Sequence, residues 1–147
     1  MNRAIYFSFI TLFCIVLFCP LSYSAEVVKI SRYSFKYSAT TTASPKTLWG
    51  LWRDVENWKD FDERLSYSYL AEGHTFKKGA VGYLKGKNAP KTKFILTEVT
   101  PEVSFTEHLK IPLYQTIELQ RYYKKNADGT ITFTHQVNFK GLSLIHI

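Results

Sequence analysis

The sequence predicts an α+β domain, a curved antiparallel sheet of six to seven strands with two short helices inserted after strand one. Three observations carry this prediction. Alternating apolar and polar segments recur from Val28 to Phe139, separated by short turn-forming clusters. A single stretch, Pro45 to Phe61, switches to helical spacing. Aromatic residues make up 16% of the 147-residue chain, which suits a sheet with one face turned to an apolar interior.

The elements follow in order. Val28 to Thr40 reads as one strand, with Tyr33, Phe35 and Tyr37 on a single face. Ser44 is placed to cap a helix by accepting a backbone N–H, and Pro45 fits at its first position, where no donor is needed. Leu48, Leu51, Trp52 and Val55 then form one apolar face. Asp54 is set to cap a second, shorter helix that carries Trp58 and Phe61. Arg64 to Glu72 reads as the second strand, with Leu65, Tyr67 and Tyr69 on one face. The third runs from Ala80 to Lys87, the fourth from Lys91 to Val99 and the fifth from Val103 to Leu109. Gln115 to Lys124 and Thr130 to Phe139 complete the set, joined across Asn126-Ala127-Asp128-Gly129, a strong hairpin signal. No internal repeat or interdomain linker interrupts the series, so the length fits one domain.

Ala43-Ser44-Pro45-Lys46-Thr47-Leu48-Trp49 and Asp54-Val55-Glu56-Asn57-Trp58 together resemble the opening of the helix-grip superfamily, which includes START domains, polyketide cyclase/dehydratases and lipid-transfer (SRPBCC-like) proteins. The resemblance implies a cavity between the sheet and a closing C-terminal helix, with the Trp58 helix at its mouth. It says little about chemistry, because such folds host many functions.

Both ends carry expectations. Residues 1–24 have the layout of a signal peptide: Arg3, an apolar run from Ala4 to Phe18, then Pro20, Ser22 and Ser24, with cleavage expected after Ser24. A retained membrane anchor is the alternative, although the run is short against a bilayer span of about 20 residues. Cys14 and Cys19 both fall in this segment, so the exported domain, 25–141, has no thiol. Residues 142–147 read as a non-native tail, and the expected closing helix of about 20 residues is absent. Without it, Ile131, Phe133, Val137 and Phe139 are expected to face water and leave the domain unstable.

The cavity candidates are Trp58, Phe61, Tyr67, Tyr69, Tyr83, Arg121, Phe133, His135 and Val137, with Tyr114 a further tyrosine of the same kind. His135 alternates with Phe133 and Val137, either as a polar group that orients a ligand or as a hydrogen-bonded core histidine. Arg121 shares parity with Ile117, Leu119 and Tyr123; it points inward towards an acidic head group, or a bulge turns it to solvent. No paired-histidine zinc motif, nucleophile elbow or phosphate loop is present, so no metal, cofactor or catalytic residue is assigned.

Loss of Arg3 with the leader takes the formal net charge from +7 to +6. Lys85, Lys87, Lys91 and Lys93 gather around one hairpin, either as a contact for an anionic membrane surface or as protection of a strand edge. Export argues against a nucleic-acid partner. The function expected is an exported, periplasmic or secreted binding protein for a hydrophobic or lipid-like small molecule. A polyketide cyclase/dehydratase-type enzyme using the same cavity is the alternative, and a groove for a partner's peptide is a third reading.

Overall fold

The computed structural model describes residues 25–111 and 115–140. The expectations for residues 1–24, Tyr114 and 142–147 lie outside them. An eight-stranded antiparallel sheet runs in the order β1-β2-β8-β7-β6-β5-β4-β3. Its strands are β1 Ala25–Ser31, β2 Ser34–Thr41, β3 Leu65–Leu70, β4 Val81–Gly86, β5 Lys91–Thr100, β6 Ser104–Ile111, β7 Gln115–Lys125 and β8 Ile131–Lys140. Between β2 and β3 lie α1 (Pro45–Arg53), a single 3-10 turn (Val55–Asn57) and α2 (Trp58–Phe61). The fold class stands as expected, and one strand divides in two.

That division comes from a tight turn at Arg32-Tyr33. The Ser31 hydroxyl accepts the Tyr33 N–H at 3.2 Å, and Ser31 pairs directly with Ser34. The first predicted strand is therefore the hairpin β1–β2. Its outer member is a sheet edge, with Val27 and Ile30 each about half exposed (52% and 51%).

The helical segment forms for local reasons. Ser44 accepts the Thr47 N–H at 3.1 Å and Pro45 occupies the first turn. Asp54 sits at the start of the next turn, but its carboxylate binds the Asn57 side-chain amide at 2.9 Å and caps no backbone donor. Leu48, Trp49, Trp52, Val55 and Trp58 are buried by this path and cluster with Phe94, Leu96, Phe105 and Ile131 at one end of the concave face. The burial of five large apolar groups from so short a segment supplies much of the core, since each contributes roughly 1.5–3 kcal/mol.

Ile131 is thus 2% exposed, which corrects the expectation that it faces water. The helical end of the sheet shields it. Phe133, Val137 and Phe139 lie further along the face and are half-buried, with Phe139 edge-on to Phe35 at 6.3 Å.

Candidate functional site

Beyond the helical cluster the concave face encloses a hollow of about 110 Å³. Strand alternation builds its walls. Phe105, Arg121, His135 and Tyr37 are cross-strand partners on β6, β7, β8 and β2 and form one row. Glu107, Leu119, Val137 and Phe35 form the next. Trp58 descends from α2, while Asp62, Arg64, Leu65, Leu84 and Leu109 complete the lining. The wall is mainly apolar, with a small number of polar groups, which is the usual make-up of a small-molecule site.

Arg121 points inward and is 5% exposed. Its Nη1 donates to Glu107 Oε1 at 2.5 Å, and Glu107 is fully buried. The guanidinium also lies over the rings of Trp58 and Phe105, at 5.2 and 4.9 Å from their centroids. Two aromatic faces and a carboxylate thus hold the charge where water is scarce. The second carboxylate oxygen, Glu107 Oε2, is buried with no hydrogen-bond partner. It is an acceptor at the edge of the hollow, and an unmatched buried acceptor is costly.

His135 lines the hollow beside this pair. Removal from water, and secondly the positive charge of Arg121, push its pKa well below the ordinary 6.5, so the imidazole is neutral near pH 7. Its ring also packs against Trp52 at 6.5 Å and Phe133 at 6.3 Å.

At the rim, Arg64 grips Asp62 through Nε and Nη2 at 2.9 and 3.1 Å. Among the described residues, no three His, Cys, Asp or Glu side chains are placed to hold a metal ion.

The hollow therefore gathers Trp58, Arg121, His135 and Val137 from the sequence candidates. Trp58 is also a core residue, stacked on Phe94 at 5.7 Å and donating its indole N–H to the Trp52 carbonyl at 2.9 Å. Phe133 packs against the core and against His135 without lining the hollow, and half-buried Phe61 lies outside the wall.

Tyr67, Tyr69 and Tyr83 are corrected outright, because they stand on the convex face. The pairing shifts between Leu65, opposite Gly86, and Tyr67, opposite Lys85, which leaves Ser66 as an extra residue. This bulge turns Leu65 into the hollow and the two tyrosines away from it. Tyr83 pairs with Tyr69 and goes with them. Glu107 was missed in the sequence, although its alternation with Phe105 and Leu109 already placed a charge on the inner face.

The architecture has solved counterparts. Ara h 8.0201 aligns at a TM-score of 0.62 and 11% identity, covering 78% of this chain and 81% of that one. A START superfamily protein from Mycobacterium smegmatis aligns at 0.62 and 7% identity, over 74% of this chain and 77% of that one. Major latex-like protein 151 from Panax ginseng aligns at 0.55 and 15% identity, over 74% and 82%. At such identities the likeness speaks for fold alone. No family model matches the sequence, and no curated protein matches it either. By fold, the chain is a helix-grip protein.

Proposed function

We propose that this chain is an exported binding protein for a hydrophobic or amphipathic small molecule held against the concave face, and that the protein itself contacts an anionic membrane surface. The observation that carries the binding part is the hollow itself, apolar in its walls and ending on the Glu107–Arg121 pair. A volume of about 110 Å³ seats a ring or head group. The half-buried strip of Phe35, Leu119 and Val137 is available for the remainder of a longer molecule. Because Glu107 already neutralises Arg121, an uncharged head with a hydroxyl or amide donor suits this end better than a carboxylate. The signal-peptide layout of residues 1–24 supports export.

Native mass spectrometry of protein purified from cells tests this reading. An amphipathic molecule should co-purify with the parent and be lost from Val137→Trp, which fills the hollow. Ligand-free parent protein that also fails to take up an apolar fluorescent probe would sink it.

A second reading has one observation in its favour. A neutral imidazole lining an apolar hollow can accept a proton, as a cyclase or dehydratase requires. Turnover of a polyketide-like substrate, abolished in His135→Ala while apolar probe binding persists, would select it.

A further inference from the structure

The three tyrosines that leave the cavity meet the lysines of the β4–β5 hairpin. Register places Tyr67 opposite Lys85, Tyr69 opposite Tyr83, Lys85 opposite Lys91, Tyr83 opposite Lys93, and Lys93 opposite Lys110. All of these side chains therefore share the convex face of β3–β6. The tyrosine rings form a ladder, with centroids 5.9 Å apart from Tyr67 to Tyr69 and 5.6 Å from Tyr69 to Tyr83. Lys91 lies across it, 4.3 Å from the Tyr83 centroid, and donates to the Tyr69 hydroxyl at 2.7 Å. Lys91, Lys93 and Lys110 are exposed, and Tyr67 is 37% exposed.

The acids of this face on β5 and β7 are each paired with a base. On the same face, Glu98 is bound by Lys78, while Glu118 is bound by His108 and Lys140. The convex face of β2 and β8 carries a hydroxyl ladder instead, in which Ser38 meets Thr134 and Thr40 meets Thr132, and its lysines, Lys36 and Lys140, stand without tyrosines beside them. The combination of stacked tyrosines with several lysines is thus found at the β3–β6 end of the sheet.

We infer that the convex Tyr67–Tyr69–Tyr83 ladder, with Lys85, Lys91, Lys93 and Lys110, is a docking surface for anionic phospholipid head groups. The inference rests on the membrane half of the proposed function and specifies where contact is made. Lysines near an anionic leaflet draw the protein in, and tyrosine suits the boundary between head group and chain. Docking by the convex face leaves the hollow, on the opposite face of the same sheet, turned away from the bilayer. The patch is then a tether that works independently of the cargo.

Co-sedimentation of the protein with phosphatidylglycerol/phosphatidylcholine vesicles, against pure phosphatidylcholine, tests it. Binding should require the anionic lipid and weaken as salt shortens the screening length. Each lysine neutralised should weaken binding about fivefold. Lys91→Glu/Lys93→Glu should abolish it, Tyr69→Ser/Tyr83→Ser should reduce it, and the charge-matched control Lys124→Glu/Lys125→Glu should change it little. The thermal melt followed by far-ultraviolet circular dichroism and the uptake of an apolar probe by the hollow should be unchanged in the patch variants. If those variants bind vesicles as the parent does, the patch assignment falls and the membrane reading survives. A parent indifferent to anionic vesicles, or one that captures only soluble polyphosphate or single-stranded oligonucleotide, overturns both.

Discussion

Arg121 and Glu107 face each other diagonally across β6 and β7, beneath the ring of Trp58. Arg121 is directly opposite Phe105, and Glu107 is directly opposite Leu119, so the ion pair links two adjacent rows of the concave face. It sets the polarity of the hollow's inner end and ties the helical segment, through Trp58, to the middle of the sheet. Each charge is tolerated in the interior because the other lies beside it, with two aromatic faces holding the guanidinium, which makes each half dependent on the other.

Arg121→Met alone should therefore destabilise the fold by about 3–5 kcal/mol, because Glu107 would be left as an uncompensated buried charge. Adding Glu107→Leu should return most of that loss. Chemical denaturation of both single variants and the double variant measures the coupling. Losses that simply add would show that the pair does not act as a unit.

His135 should make stability fall as the solution is acidified. Its folded pKa lies well below the ordinary 6.5, so between those values the unfolded chain binds a proton that the folded chain refuses. The contribution is complete above about pH 6.5 and declines as pH drops, with a slope of at most about 1.4 kcal/mol per pH unit. Glu118 contributes to the pH dependence only at lower pH, below the ordinary carboxylate value. Burial acts to raise its pKa, but hydrogen bonds from Lys140, His108 and Asn138 outweigh this and hold it below 4.5. Its contribution is present above that value and is lost as pH falls through the folded pKa. Thermal melts between pH 7 and 5 should show the decline in the parent and a flatter profile in His135→Gln.

Much of this architecture was legible in the sequence where the governing physics is local. Ser44 and Pro45 announce α1 by themselves, and unbroken alternation along β7 and β8 places Arg121, His135 and Val137 on the inner face. The alternation failed where the chain breaks its own period without a glycine or proline to mark the break. Ser66 is an unmarked bulge, and Ser31-Arg32-Tyr33-Ser34 is a turn made of residues that also suit strands. On β4, glycines at 82 and 86 occupy inner positions and leave Leu84 alone to mark the inner face, which makes the alternation there weak. The Glu107–Arg121 contact is 14 residues apart in sequence, and only the β6–β7 register brings it together.

Trp58→Phe should separate packing from hydrogen bonding at the hollow's wall. The smaller ring can still stack on Phe94 and Phe105, but the Trp52 carbonyl loses its indole donor. An unmatched buried acceptor and a lost ring together should cost on the order of 2–4 kcal/mol. Ligand or probe affinity should fall as well, since the same side chain lines the hollow. A stable variant with unchanged probe binding would remove Trp58 from the site.

Gly82 should tolerate nothing larger, for a reason visible only in three dimensions. It pairs with Phe94 across β4 and β5, and the fully buried Phe94 ring lies directly over it. A Cβ at position 82 would stand 2.1 Å from Phe94 Cζ, well inside contact distance. Phe94 cannot retreat freely, because Trp58 is stacked on its ring at 5.7 Å and Trp58 in turn carries the Arg121 guanidinium. Gly82→Ala should therefore destabilise by about 1–3 kcal/mol through overpacking and disturb the hollow through Trp58. Gly50, where a Cβ would meet nothing within 4 Å, is the natural control, and Gly50→Ala in α1 should stabilise by about 0.5–1 kcal/mol. Denaturation midpoints of the two variants should move in opposite directions, and a neutral or stabilised Gly82→Ala would show that Phe94 has another place to go.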